Sequence, residues 1–307
     1  SQAADFMAHA PAPLNKYVLH PVQAAAAFTV YMFFRMLPLD WASGLGGLLA
    51  RTIGPRLRLS DRARRNLRAV FPDMAAAEVE RIVYGMWDNL GRLAAEFPHL
   101  QEIDVYAGNG RVTVEGGEYV DQLRDDNEAG IFYSAHIGNW EILALGATQR
   151  GLPLDRVYRE ANNRLVEWLY RHGRAAVEGA LIPKGPQGVR QLLNAFRSGS
   201  HLAMLVDQKM NDGIAVPFFG RPAMTAPALA ELALRHNCPV VAARVTRVKG
   251  ATFKMTALPP VRFEKTGNHK ADVLAAMTQI NNQVEQWVRD TPEQWLWLHN
   301  RWPNGGA

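Results

Sequence analysis

In the segment SAHIGNWEIL (134–143) a histidine and a glutamate, His136 and Glu141, stand five residues apart. An imidazole that hydrogen-bonds a carboxylate through one nitrogen is held in one tautomer, and its other nitrogen is free to take a proton. On an unbroken helix, positions i and i+5 differ by about 140° and would not face one site. If His136 instead ends a strand and Gly138–Asn139 turns the chain, Glu141 falls in the first turn of the following helix. Its carboxylate can then fold back onto the imidazole, orient it and support the charge it gains. The competing reading is a structural histidine beside an apolar strand. Other chemistries lack their patterns. No GxSxG frames a serine, neither HExxH nor a cysteine cluster is present, and GLGG (44–47) and GNG (108–110) fail the later positions of the phosphate-loop and dinucleotide fingerprints. Without a nucleophile partner, the pair fits direct activation of a substrate hydroxyl. No metal or tightly bound cofactor is expected. The single cysteine, Cys238, forms no intrachain disulfide and reads as a small buried hydrophobe.

The elements that must position this pair follow from periodicity. Helical spacing runs over 62–67 and 76–97, the latter with Val79, Ile82, Val83, Met86, Leu90, Leu93 and Ala94 on one face before Pro98. Beyond it, strands and helices alternate. Strands are expected at 111–116, 130–135, 201–206 and 239–245, and helices at 118–124, 140–149, 163–176, 186–196, 227–236 and 271–289, with a short hairpin at Lys249–Gly250. Solid apolar strands alternating with helices indicate an α/β fold with a sheet covered on both faces. Ligand sites in such sheets gather at the carboxyl ends of strands. Two strand ends carry conspicuous polar residues: His136 after IFYSA, and Asp207–Gln208 after HLAMLV.

The chain has 307 residues, about half apolar, with 34 Lys+Arg against 29 Asp+Glu, a net charge of +5. Residues 51–70 hold seven arginines and one acid, Asp61, a net of +6 that leaves 27 bases against 28 acids elsewhere. The basic excess therefore belongs to one segment. Ahead of it lie two runs without charge, 17–34 and 41–50. The first is borderline for a transmembrane helix, which needs about 20 apolar residues, and lacks the flanks of a signal peptide. An apolar stretch followed by arginines suits a helix lying on or dipping into an anionic membrane; a buried helix hairpin is the alternative. Residues 1–50 are expected to form this membrane-associated segment, single-pass or monotopic, and 51–307 the catalytic domain. No nucleic-acid motif accompanies the arginines.

At HIGNWE the chain resembles the lysophospholipid acyltransferase-like superfamily, whose hallmark is a His, four residues, then Asp or Glu. Further blocks resemble one branch, the late acyltransferases of lipid A biosynthesis of lauroyl/myristoyl type. These are NLRAVFP (66–72), VYREANNRLVEWLYRHGR (157–174), LVDQ (205–208), VPFFG (216–220) and TPEQWLWLHNRW (291–302), in family order. The resemblance implies a single αβα domain of the glycerol-3-phosphate acyltransferase-like kind, with a mostly parallel or mixed sheet, behind N-terminal membrane-associated helices. It implies transfer of a fatty acyl chain from an acyl carrier protein or coenzyme A thioester to a hydroxyl of a glycolipid, at the cytoplasmic face of the cell inner membrane. His136 would be the base, Glu141 its support, and Arg159, Asn163, Arg174, Asp207 and Gln208 would contact substrate. An oxyanion stabiliser is required, from a backbone N–H near the turn or an arginine such as Arg159. Lysophospholipid, ornithine lipid and mannosylated lipid are alternative acceptors, and a lipid-binding protein without turnover is the non-enzymatic one. Trp295, Trp297, His299 and Trp302 either line an acyl groove or brace the fold, and alternating aromatics favour bracing.

Overall fold

A computed structural model describes residues 19–108, 110–183 and 186–302. Its strands, in chain order, are β1 (Val112–Glu115), β2 (Ile131–Ser134), β3 (Leu154–Tyr158), β4 (Leu181–Pro183), β5 (His201–Leu205), β6 (Ile214–Phe218), β7 (Arg221–Thr225), β8 (Val240–Lys249) and β9 (Thr252–Ala257). Seven form one sheet in the order β1-β9-β8-β2-β5-β3-β4, and β6 and β7 pair as a separate antiparallel hairpin. Every pair in the large sheet is parallel except β8 with β9, which turn back at Lys249–Gly250 as expected. The helices are α1 (His20–Arg35), α2 (Leu39–Ile53), α3 (Ser60–Val70), α4 (Ala76–Glu96), α5 (Gly117–Asp125), α6 (Glu141–Gln149), α7 (Arg164–Gly173), α8 (Pro186–Arg197), α9 (Ala228–His236) and α10 (His269–Asp290).

The central strand β2, IFYS, is buried along its whole length, as a continuous apolar run between two parallel neighbours must be. Its alternate side chains feed two cores. Ile131 and Tyr133 join Met86 of α4, Leu229 of α9 and Ile280 of α10 on one face. Phe132 joins Val120 and Leu123 of α5 and Ala147 of α6 on the other. The fold is therefore the expected α/β arrangement, helices covering both faces of a mostly parallel sheet. Four strands escape the sequence pattern. β3 carries Asp155 and Arg156, β4 has three residues, and β6 and β7 each contain a proline (Pro217, Pro222), which a strand tolerates only where it need not donate to a ladder.

At the N-terminus α2 lies against α4 with backbones nearly touching. A Cβ added at Gly46 would stand 2.5 Å from Gly91 O, and one at Gly91 would stand 2.2 Å from Gly46 O. The expected domain boundary at residue 50 thus falls inside a helix docked on the body. Residues 1–18, with the start of the first uncharged run, lie outside the described residues. Among the described residues no helix is long and apolar enough to cross a membrane. The helices and the link between them nevertheless expose large apolar side chains, among them Phe28, Phe33, Met36, Trp41, Leu49 and Ile53, with Met36 and Trp41 each 73% exposed.

Candidate active site

The two polar strand ends meet because of register. Parallel pairing sets Ser134 of β2 opposite Leu205 of β5, so two residues further on His136 stands beside Asp207. His136 Nδ1 lies 2.8 Å from Asp207 Oδ1, and the His136 backbone N–H donates to Asp207 Oδ2 at 2.9 Å. Trp295 Nε1–H donates to the same Oδ2 at 2.8 Å. Burial alone would raise the Asp207 carboxyl, but the His136 ring, the hydrogen bonds from that residue and nearby His299 hold it well below the usual carboxylate range. An ionised, fully enclosed carboxylate on Nδ1 fixes the imidazole with Nδ1–H inward and the Nε2 lone pair outward.

The turn after His136 is held from several sides. Gly138 has φ +57°, and a Cβ there would stand 2.0 Å from Val245 O, so only glycine fits. Gly138 O accepts from Asn89 of α4 at 3.0 Å, and Asn139 Nδ2 donates to Glu96 at 2.8 Å. Glu96, buried, also accepts Ser43 of α2 and the fork of Arg247 from β8. The N-terminal helices and the turn after His136 are thereby joined through one carboxylate. Leu296 N–H donates to His136 O, which ties the C-terminal segment to the same turn.

Glu141 sits where the turn predicts, as the first residue of α6, but it does not hold the imidazole; Asp207 does. The Glu141 carboxylate is taken in a fork by Arg174, Nε at 2.7 Å and NH2 at 2.5 Å, and accepts Trp140 Nε1–H at 3.1 Å. Arg174, expected at substrate, is further fixed over the Tyr170 ring, 3.6 Å from its centroid. Asn163, also expected at substrate, has both ends of its amide occupied within the fold. Its Oδ1 caps α7 by accepting Leu165 N–H at 3.1 Å, and its Nδ2 donates to His20 O at 2.7 Å; a short amide before a helix is the ordinary capping residue. Arg159 is exposed at the rim. Gln208 Nε2 lies 3.1 Å from His136 Nε2 and 3.3 Å from His299 Nε2.

These side chains border a cavity of about 980 Å³ that His136, Glu141, Arg159, Arg174 and Gln208 all line. One arm runs between the sheet and the helices α5 and α6, walled by Val120, Phe132, Leu143, Ala147, Leu154 and Ala257. Arg156 also reaches the cavity; burial first, and Arg174 second, push its guanidinium down to about 10. Trp295, Trp297 and Trp302 do not line it. All three are buried, so they brace the fold as their spacing suggests, and Trp295 adds a hydrogen bond to Asp207. Cys238 is buried, and burial pushes its thiol up to about 11.

The geometry is that of a carboxylate-held imidazole facing a largely apolar chamber. The family model for bacterial lipid A biosynthesis acyltransferase matches residues 13–304. The chain belongs to that family. A Haemophilus influenzae lipid A biosynthesis acyltransferase is 24% identical over 284 residues, covering 87% of this chain and 84% of that protein. The Escherichia coli lipid A biosynthesis palmitoleoyltransferase is 24% identical over 249 residues (78% and 77% of the two chains), and the myristoyltransferase of that organism is 26% identical over 251 (79% and 75%). For this lipid A acyltransferase family member, sequence reasoning missed Asp207 as the ring partner, Arg156 and the Trp295 bond. The equal placement of HLAMLV-Asp and IFYSA-His at the ends of two apolar strands was the available signal for the first.

Proposed function

We propose that the protein transfers a fatty acyl chain from an acyl carrier protein thioester to a hydroxyl of a lipid A precursor, with His136 as general base. The observation that carries this is the Asp207–His136 pair presenting Nε2 to an apolar-armed cavity. The acceptor hydroxyl gives its proton to Nε2 as its oxygen attacks the thioester carbonyl. Asp207 stabilises the imidazolium, which returns the proton to the departing thiolate, and no acyl-enzyme forms. The arm between the sheet and α5/α6 holds the hydrocarbon. Glu141 anchors Arg174 at the mouth, and Arg159 at the rim meets anionic groups of donor or acceptor, which guanidinium binds in a forked fashion.

The exposed apolar residues of α1 and α2, continued by Leu57 and Leu59 among exposed Arg56, Arg58 and Arg65, support a seat in the membrane interface at the cytoplasmic face of the inner membrane, without crossing it. The test is reconstitution with a lipid A precursor and acyl carrier protein or coenzyme A thioesters, read by mass spectrometry. A product heavier by one acyl group, cleaved by mild alkali as an ester, and absent with His136→Ala, is expected. An unchanged precursor alongside an acylated lysophospholipid or aminolipid would overturn the acceptor assignment.

A further inference from the structure

The acyl transfer proposed above needs a donor for the oxyanion that forms on the thioester carbonyl, and most groups around His136 are already occupied. The backbone N–H of His136 binds Asp207, that of Ile137 binds Ala135 O and that of Gly138 binds Gln294 O. Arg174 is forked on Glu141, and Arg159 lies exposed at the rim. The side-chain nitrogen of Gln208 is different. It faces His136 Nε2 at 3.1 Å and His299 Nε2 at 3.3 Å, with the two rings edge to face and their centroids 5.2 Å apart.

Its orientation follows from the chemistry of the neighbours. Nδ1 of His136 donates to Asp207, so Nε2 carries a lone pair and can only accept. An amide NH2 has two N–H bonds, one for each ring, whereas the amide oxygen turned this way would meet a lone pair. His299 is kept neutral by burial first, which outweighs the opposing pull of Asp207, with His136, Arg301 and Arg62 adding to it, and its pKa is pushed down to about 4. In its Nδ1–H tautomer the neutral ring turns its Nε2 lone pair to the Gln208 nitrogen 3.3 Å away, the arrangement that the geometry of the Gln208 amide between the two rings favours.

We infer that Gln208 is the oxyanion donor of the acyl transfer, and that His299 is the positioning residue that keeps its N–H turned toward the reacting atoms by accepting the second one. In the resting protein, Gln208 holds the place that the acceptor hydroxyl takes at His136 Nε2. When the hydroxyl arrives, its proton passes to Nε2 and its oxygen bonds to the thioester carbon. The carbonyl π pair moves onto oxygen, and the released Gln208 N–H donates to that oxygen. Collapse restores the carbonyl, breaks the C–S bond and returns the proton from His136 to sulfur. Gln208 ends unchanged. A donor about 3 Å from the base nitrogen is within reach of the position where that charge develops.

The inference rests on the acyl-transfer reading, and the test separates the two. Steady-state transfer from an acyl carrier protein thioester to a lipid A precursor is measured for the full chain carrying Gln208→Met, Gln208→Glu, His299→Phe, His299→Gln or His136→Ala. Both Gln208 variants keep the side-chain length without an N–H. They are expected to lower kcat roughly 100- to 1,000-fold, as loss of one oxyanion donor does, with KM nearly unchanged. His299→Phe lowers kcat with KM unchanged, and His299→Gln, whose oxygen accepts at the Nε2 position, restores most of it. Wild-type kcat in either Gln208 variant with His136→Ala inactive overturns the oxyanion assignment alone. Equal losses in His299→Phe and His299→Gln overturn the positioning role. Full activity of His136→Ala overturns the base assignment and, with it, this inference.

Discussion

Three N–H groups converge on Asp207, two from His136 and one from Trp295, which is why this carboxylate rather than Glu141 sets the imidazole. Glu141 acts through Arg174. Both side chains are 10% exposed, and removing one leaves the other poorly solvated. Glu141→Gln and Arg174→Gln should therefore each lower transfer, while the double substitution costs no more than the worse single. The coupling in a double-mutant cycle should be about 1–3 kcal/mol, and strict additivity would show that the pair does not work as a unit. His299 makes a separate prediction about stability. Its folded pKa, about 4, lies below its ordinary value of 6.5. Between these values the unfolded chain binds a proton that the folded chain does not, so stability falls as pH falls through that window, at most about 1.4 kcal/mol per pH unit. Asp207, depressed in the folded state, adds a loss in the same direction below its ordinary value of 3.8. Denaturant midpoints from pH 7 to 4 should slope accordingly, and His299→Gln should flatten the curve above pH 4.

At the level of elements, parallel strands β2 and β5 carry His136 and Asp207 to their shared carboxyl ends, and the helices α5 and α6 leave an apolar arm beneath them. Two alanines, Ala147 and Ala257, stand among the larger walls of that arm, so its length is open to change. Ala147→Phe or Ala257→Phe should shift the preferred thioester to a shorter chain in competition between donors of different length, with about 1–3 kcal/mol lost to overpacking. An unchanged chain preference would place the hydrocarbon elsewhere. How far all this was legible beforehand depends on range. The apolar runs of β2, β5 and β8 and the periodic face of α4 announce themselves, and with them the α/β sheet and both polar strand ends. His136 was legible because its strand is local to it. Its partner is not, because the neighbour of a strand is set by sheet order, and a carboxylate five residues away in sequence stands nearer on paper than one 71 residues away that register brings level with it. Asn163 matched a family block yet caps a helix, a role that adjacency to Leu165 reveals only once α7 has its boundary.

For the whole molecule, the net charge of +5 is concentrated in residues 51–70, but not all of it faces solvent freely. Arg51 pairs with Asp88, and Arg64 with Glu80, which pin this segment and α2 to α4. Exposed Arg58, Arg65 and Arg68 remain beside the apolar side chains of α1 and α2, a pattern suited to an anionic interface. Binding to phosphatidylglycerol vesicles should weaken at least roughly tenfold in Trp41→Asp/Ile53→Asp, two residues whose burial in lipid would each contribute a few kcal/mol. Equal binding by the variant would remove these helices from the membrane contact. The Glu96 network links α2 to the turn after His136, so the proposed membrane face and the proposed base are joined through one buried carboxylate. The most direct measurement of the central claim is single-turnover acyl transfer to a lipid A precursor by the wild-type chain, His136→Ala and Asp207→Asn, each checked for native circular dichroism. The account predicts a loss on the order of 100- to 10,000-fold in both variants; transfer at the wild-type rate by either one would contradict it.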